Sequence, residues 1–380
     1  MNWPRWNAIQ KDLRSKVAQK EILALKGGID LLAGGVPCQP FSRGGQRRGE
    51  FDDRELFTTA GYYVKELKPR AFFFENVKGF EERKHADFRR RLTVDFNSLG
   101  YDIKLFTMKA AEYGLPQERE RVVLLGLKKG YRGAFRLPSV NPTPKTFVDT
   151  IIDVLFPYRS NLDALEDDSF AVARSKQQKL YDDWVATWIF RYGDNRAPTL
   201  VRSGLKIGES REDKWRQIGF DIRLEAEPVR PERVRSVDDL PRLTIGVVKR
   251  IQGIPDNWNL PPNISTRKAS LLIANAFPPV LARAVGLAVR EALTGKAHDQ
   301  NEALQQPVID TRRIGRKRDP INLKAVIDPR WRERAPSAKA KIWREHIVHQ
   351  RKEEEVERLL YAQALLIEDD GPGPMFGDET

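Results

Sequence analysis

Cys38 is the only cysteine in the 380-residue chain, and its neighbours suggest chemistry. It stands in the glycine- and proline-rich segment 34–42, Gly-Gly-Val-Pro-Cys-Gln-Pro-Phe-Ser, directly after a short apolar run that predicts a buried strand. A free cysteine often does no more than fill a small apolar space. At the carboxyl end of a strand in an open α/β sheet, however, a thiol lies where such sheets bind ligands and could act as a nucleophile.

Three further polar side chains could reach the same edge of a sheet. Glu75 follows the apolar run 71–74, and Arg119 and Arg121 open another apolar run that ends at 127. Because adjacent parallel strands lie about 4.8 Å apart, Cys38 and Glu75 could face one site. A nucleophile, a proton donor and two guanidinium groups form a set suited to covalent catalysis. Taken singly, each of the three is better explained as a helix cap or a solvated surface charge.

The elements that would position these side chains alternate along the chain. Helices are predicted over 15–26, 54–67 and 87–99, and strands over 29–33, 71–74, 101–108 and 121–127. This alternation predicts an α/β fold with a mostly parallel sheet and helices on both faces. Proline, glycine and mixed charge dominate 131–240, which indicates a smaller irregular domain. Helices are predicted again over 243–251 and 278–293, and the polar tail 296–380 is predicted to contain a charged helix over 338–367.

Composition limits the class of protein and of site. The net charge of +13 favours a polyanionic partner, nucleic acid before an acidic membrane surface. One cysteine cannot form an internal disulfide, and with four scattered histidines it argues against a zinc site or a Ser–His triad. We find no run as long as a membrane span and no signal peptide, so we expect a cytoplasmic protein that holds no metal.

Five motifs, in order, resemble those of the DNA cytosine-5 methyltransferases. The segment around Cys38 resembles the nucleophile motif of that family, and Glu-Asn-Val at 75–77 resembles its glutamate motif. Gln-Glu-Arg-Glu-Arg at 117–121 is similar to its Gln-x-Arg-x-Arg motif. Residues 242–256 resemble the ninth conserved block of the family, and 273–279 the tenth, with Ala274 where the family usually carries glycine. The resemblance covers most of the chain, from about residue 2 to 293.

The resemblance implies a Rossmann-like methyltransferase sheet and transfer of a methyl group from S-adenosylmethionine to C5 of cytosine in double-stranded DNA. By the mechanism of the family, Cys38 attacks C6 of a flipped base, Glu75 protonates N3, and the two arginines bind O2. Region 131–240 takes the place of the target-recognition domain, between catalytic segments 1–130 and 241–295. The implied cofactor contacts are Asp12, Gly35, Pro37 and Asn275. The implied base or DNA contacts are Gln39, Ser42, Gln117, Thr199 and Arg202.

One departure from the family pattern concerns its first motifs. The family opens with a glycine loop and an acidic residue one strand later, and the first match in this sequence is around Asp12. We therefore expect the N-terminal strands and most of the cofactor pocket to be missing from this sequence. A late start codon or truncated gene, a complementing N-terminal polypeptide, and a non-catalytic DNA-binding remnant are alternative explanations. A restriction–modification setting would add a cognate endonuclease as partner, and tRNA methylation is a weaker alternative.

Overall fold

The structure is a computed structural model that describes residues 10–36, 54–131, 134–138, 146–160, 176–200, 214–297 and 299–305. The chain separates into two compact units, Met1–Ile321 and Asn322–Thr380. All described residues belong to the first unit, so the helix predicted over 338–367 lies outside them. The elements, in chain order, are α1 (Lys16–Leu23), β1 (Leu31–Gly35), α2 (Arg54–Leu67), β2 (Ala71–Val77), α3 (Ala86–Ser98), β3 (Tyr101–Lys109), β4 (Gln117–Glu118), β5 (Glu120–Lys128), α4 (Phe147–Leu155), α5 (Lys176–Tyr192), β6 (Ala197–Pro198), α6 (214–217), β7 (Asp221–Glu225), β8 (Arg242–Thr244), α7 (Ile245–Gln252), α8 (Thr266–Asn275), α9 (Pro279–Thr294) and α10 (Gln300–Gln305).

The central sheet confirms the α/β class but corrects its strand directions. Its strands lie in the order β1-β2-β5-β3. β1 runs parallel to β2, whereas β5 runs antiparallel to both β2 and β3. The prediction of a mostly parallel sheet therefore fails, among these four strands, at β5 alone, because β1, β2 and β3 run in the same direction. The reason is the short connection 110–119 between β3 and β5, because a parallel crossover needs a dozen or more residues.

Alternating side chains along β2 build a core on both faces of the sheet. Phe73 packs on one face, in a cluster with Val285 and the other buried residues of α9. Phe72 and Phe74 pack on the opposite face, where Phe96 of α3 contacts both rings. Full burial of such a ring stabilises the fold by about 1.5–3 kcal/mol. The sheet is thus held between α9 on one side and α2 and α3 on the other.

Gly126 in β5 gives a test of this packing. It lies opposite Phe72 in β2, and a Cβ added to it would lie 2.1 Å from the Phe72 ring. We expect Gly126→Ala to lower the free energy of unfolding by about 1–3 kcal/mol, because the ring must shift in a packed core. Urea unfolding measures this, with Gly286→Ala in α9 as control, since no atom lies within 4 Å of a Cβ there. Equal losses in the two variants would contradict the packing described.

The region predicted to be irregular contains regular helices with an aromatic core. Phe147 and Phe156, at the ends of α4, both contact Trp188 of α5, and Phe156 also contacts Trp184. Phe220 adds a ring before β7 and packs against both Phe147 and Trp188. Tryptophans four residues apart lie on one face of a helix, which explains why α5 is regular despite its polar composition. The predicted boundaries of this region, 131 and 240, remain a prediction.

A long apolar stretch corrects the expectation that no run reaches the length of a membrane span. Thr266–Thr294 is a candidate by length and composition, with a mean hydropathy of 1.6. It forms two helices, because Ala276 is extended and Pro278, which lacks a backbone N–H, precedes α9. Leu281 and Val285 of α9 are completely buried against the sheet. The apolar face of α9 is therefore explained by the core.

Candidate active site

The strand register brings Glu75 beside the end of β1. Glu75 lies within β2 and pairs with Gly35 of β1. The prediction that Glu75 follows the strand is therefore wrong, since β2 continues to Val77. A Cβ built on Gly35 would lie 3.4 Å from Oε2 of Glu75, so the carboxyl group sits against the glycine backbone. Cys38 lies three residues after Gly35, outside the described residues. The described part of the site therefore begins at the last residues before the predicted nucleophile turn.

Glu75 forms a shielded ion pair with Arg121. Antiparallel pairing of β2 with β5 places Arg121 opposite Val77. Val77 lies two residues after Glu75 in β2, so Arg121 and Glu75 lie on the same face of the sheet. The Arg121 Nε lies 2.7 Å from Glu75 Oε1, and the two side chains are only 12% and 13% exposed. Arg121 also donates from Nη1 to the Glu120 carbonyl. This charge-assisted contact fixes the direction of the carboxyl group.

Burial raises the pKa of the Glu75 carboxyl above its ordinary value of 4.5, although the positive charges of Arg121 and Arg119 oppose the shift. The carboxyl group thus holds its proton more strongly than a solvated glutamate. A carboxylic acid with a raised pKa can donate a proton to a base or substrate nearer neutral pH. The local chemistry is therefore suited to a proton donor.

The direction of this shift predicts how stability depends on pH. Above pH 4.5 the unfolded chain releases the Glu75 proton before the folded chain does. The contribution of this group to stability is therefore present below 4.5 and is lost as the pH rises through the folded-state pKa. We expect the difference in unfolding free energy between wild type and Glu75→Gln to fall as pH rises above 4.5. Urea titrations at a series of pH values measure it, and a difference that grows with pH would contradict the shift.

Asn76 ties the end of β1 to β2. It is 3% exposed, its Nδ2 donates to the Val36 carbonyl at 3.3 Å, and its Oδ1 accepts from the Val77 N–H at 2.9 Å. Val36 is the last described residue before the segment that contains Cys38. Asn76 therefore anchors the backbone of Val36, just beyond the end of β1. Asn76 belongs to the Glu-Asn-Val motif, but no role for it was predicted from the sequence.

Arg119, the second predicted catalytic arginine, is 1% exposed and binds backbone carbonyl groups. Its Nη1 donates to Leu200 at 3.0 Å, and its Nη2 donates to Ala274 at 2.8 Å and to Ala276 at 3.1 Å. Burial lowers the pKa of its guanidinium to about 9, which leaves the group charged at neutral pH. These partners differ from the base contact that we predicted for Arg119, and that contact remains a prediction.

Two of the predicted DNA contacts lie where β4 pairs with β6. Gln117 is completely buried in β4, opposite Ala197 of β6, and neither atom of its amide has a partner among the described residues. The Thr199 hydroxyl donates to the Glu118 carbonyl. The Thr199 side chain therefore helps to join β4 to the segment at β6, and the contact of Gln117 and Thr199 with DNA remains a prediction. The predicted residues that lie outside the described ranges are Pro37, Cys38, Gln39, Ser42 and Arg202.

The described residues predicted to bind a cofactor are accessible and chemically varied. Asp12 is exposed, and its carboxylate accepts from the backbone and side chain of Arg14, which lowers its pKa. Gly35 is exposed at the end of β1, and Asn275 is exposed at the end of α8. A carboxylate, an amide and a bare glycine backbone fit the hydroxyl, amine and adenine groups of a nucleoside cofactor. The described residues contain no group of three His, Cys, Asp or Glu side chains that could hold a metal.

Comparison with known proteins identifies the family. Residues 1–291 match the family model of the C-5 cytosine-specific DNA methylases. The chain belongs to this family. It is 34% identical over 303 residues to the type II methyltransferase M.NgoMIV of Neisseria gonorrhoeae, covering 77% of this chain and 86% of that protein. It is 31% identical over 285 residues to M.NaeI of Lentzea aerocolonigenes, covering 73% of this chain and 62% of that protein.

Among solved structures, the methyltransferase EhMeth of Entamoeba histolytica matches with a TM-score of 0.45 and 14% identity, covering 77% of this chain and 84% of that protein. Membership of this family makes the chain a cytosine-5 DNA methyltransferase. Its methyl donor is S-adenosylmethionine and its substrate is DNA. The fold class and cofactor predicted from the sequence are thereby confirmed.

Proposed function

We propose that this cytosine-5 DNA methyltransferase acts through a covalent bond between the Cys38 sulfur and C6 of a cytosine that has left the duplex. Attack of the thiolate on C6 moves electron density to C5, which is otherwise a poor nucleophile. S-adenosylmethionine, when bound, supplies an electrophilic methyl group at its sulfonium. Loss of the C5 proton to water and cleavage of the C6–S bond then regenerate the Cys38 thiolate and release 5-methylcytosine in DNA.

Glu75 and Arg121 prepare the base for this attack. The Glu75 proton moves to N3 of the cytosine, which neutralises the negative charge that thiolate addition creates on the ring, and it returns to the Glu75 carboxylate when the C6–S bond breaks. Arg121 holds the carboxyl group in place through its Nε and supplies positive charge toward O2 of the base. The observation that carries this proposal is the buried Glu75–Arg121 pair directly beside the Gly35 backbone. Arg119 remains a second predicted contact of the base.

DNA is proposed to be held by both parts of the chain. Region 131–240 would recognise the target sequence between catalytic segments 1–130 and 241–295, with Thr199 and Arg202 near the duplex. Gln39 and Ser42 would contact the flipped nucleotide, and Gln117 would do so if the pairing of β4 with β6 opens. The net charge of +13 suits such a polyanionic substrate. We propose that the enzyme works in the cytoplasm beside a cognate restriction endonuclease.

The cofactor is proposed to contact Asp12, Gly35, Pro37 and Asn275. Within the described residues, β1 pairs with β2 on one side only, and three apolar side chains of the preceding segment 10–30, Leu13, Val17 and Leu25, are 46%, 62% and 56% exposed. An open strand edge can accept a further strand. We propose that a complementing polypeptide can supply this strand and the remaining cofactor contacts.

Methyl transfer tests the proposed function directly. The full chain is incubated with tritiated S-adenosylmethionine and unmethylated plasmid DNA, and the DNA is then digested to nucleosides. We expect the label in 5-methylcytosine, either with the chain alone or after addition of a polypeptide that carries the glycine loop. Salt-sensitive DNA binding without label in either case would favour a non-catalytic DNA-binding role. Label only in a parallel incubation with tRNA in place of the plasmid would favour RNA methylation.

A further inference from the structure

Arg119 joins three segments that lie far apart in the sequence. Two residues after Arg119 in the sequence, Arg121 of β5 forms the ion pair with Glu75. Its Nη1 holds Leu200, which follows β6, and its Nη2 holds the carbonyls of Ala274 and Ala276. The three bonds link the catalytic sheet to the recognition region and to the connection between α8 and α9.

Each linked segment carries a predicted contact with a ligand. Ala274 and Ala276 flank Asn275, whose side chain is exposed and is predicted to bind the cofactor. Leu200 lies one residue after Thr199 and two before Arg202, both of which are predicted to approach DNA. The planar Arg119 guanidinium therefore donates hydrogen bonds to the backbone beside the predicted DNA contacts and to the backbone beside the predicted cofactor contact.

A second buried side chain supports the same connection. Gln252 at the end of α7 is completely buried, and its Nε2 donates to the Ala276 carbonyl at 2.5 Å. The Ala276 carbonyl thus accepts from both Arg119 and Gln252. Within the described residues, Arg119 Nε and Gln252 Oε1 have no hydrogen-bond partner. Incomplete pairing of buried polar groups is costly, so this cluster is not explained by stability alone.

We propose that Arg119 is a positioning residue that makes the binding of DNA and the binding of the cofactor interdependent. A shift of the Leu200 segment on DNA binding must change the direction of the guanidinium group, and with it the carbonyls on both sides of Asn275. This inference rests on the proposed function, because it assumes that Thr199 and Arg202 face DNA and that Asn275 faces the cofactor. The coupling is reciprocal, since each ligand must change the affinity of the other by the same factor.

The test measures the affinity for S-adenosylhomocysteine by calorimetry, with and without a saturating unmethylated duplex. We expect the duplex to change this affinity by about 5–150-fold in the wild type. In Arg119→Lys, which keeps the charge and loses the planar fork, we expect the change to be less than about twofold. Arg159→Lys is the control, because Arg159 is a half-buried arginine that likewise donates to backbone carbonyls, those of Ile152 and Phe156.

A purely structural role predicts a different result. Arg119→Lys, like the control Arg159→Lys, would then lower the melting temperature and leave the coupling at its wild-type value. This result would overturn the inference. Gln252→Met removes the other donor to Ala276 and is expected to reduce the coupling part of the way. If the Arg119 variant does not fold, unchanged coupling in Gln252→Met would overturn the inference. A wild type that binds neither ligand, alone or with the complementing polypeptide, would instead overturn the proposed function, and the inference with it.

Discussion

Replacement of Glu75 by glutamine is expected to lower the rate constant of methyl transfer by about 10²–10⁴-fold, the usual contribution of a positioned proton donor. Glutamine keeps the size of the side chain and can still accept a hydrogen bond from Arg121 Nε. It has no carboxylic acid proton to transfer to N3 of the cytosine. Thiolate addition at C6 therefore leaves negative charge on the ring. Affinity for DNA is expected to stay within about twofold, because the charge of the pair faces inward.

Single-turnover transfer of tritium to a duplex, at saturating enzyme, measures the effect on the chemical step. Glu66→Gln is the control, because Glu66 is a carboxylate of α2 that only approaches Lys26 at 3.8 Å. This control is expected to keep the wild-type rate. The wild-type rate is also expected to decline with rising pH as Glu75 ionises, and the glutamine variant is expected to lack that decline. A Glu75→Gln rate within threefold of wild type would remove Glu75 from the mechanism.

Replacement of Cys38 by alanine is expected to abolish methyl transfer, with a loss of more than about 10³-fold. The alanine side chain cannot form the bond to C6, and C5 then has no route to an activated state. Because Cys38 is the only thiol in the chain, no other cysteine can substitute for it. The same assay of tritium transfer to a duplex measures the loss. DNA binding by the variant is measured in parallel.

Alkylation gives an independent control for Cys38. Iodoacetamide is expected to add one carbamidomethyl group to the wild type, to inactivate it in proportion, and to leave Cys38→Ala unmodified by mass spectrometry. Bound DNA is expected to slow the reaction. Retention of activity in a completely alkylated wild type would show that the thiol is not needed for methyl transfer.

The parts of the fold that depend on local pattern were predictable from the sequence. The helices over 54–67 and 87–99 and the strands that begin at Ala71 and Tyr101 appear where hydrophobic spacing places them. Strand direction was harder, because it depends on the short connection 110–119 rather than on the composition of β5. Glu75 illustrates the same limit: its polar side chain marks the predicted end of a strand that continues to Val77.

The surroundings of the site depend on contacts that no local pattern contains. The Arg119 guanidinium is bonded to carbonyls 81 and 155 residues away in sequence, and in the sequence it stands in a charge run that resembles solvated surface. Only the folded chain reveals that Arg119 is buried and that Arg121, two residues later, pairs with Glu75. The helices within region 131–240 were missed because the aromatic residues that order them are separated by polar ones.

The most direct test of the account is whether Cys38 becomes covalently bonded to its substrate. A duplex that carries 5-fluorocytosine at the target position is incubated with the chain and S-adenosylmethionine, and the products are separated under denaturing conditions. Fluorine cannot leave C5 as a proton does, so elimination is blocked and the adduct persists. We predict a stable complex of one chain with one duplex, formed by wild type and by Glu66→Gln but not by Cys38→Ala. A complex of equal yield with Cys38→Ala, or DNA methylation by the wild type without any complex, would contradict the account.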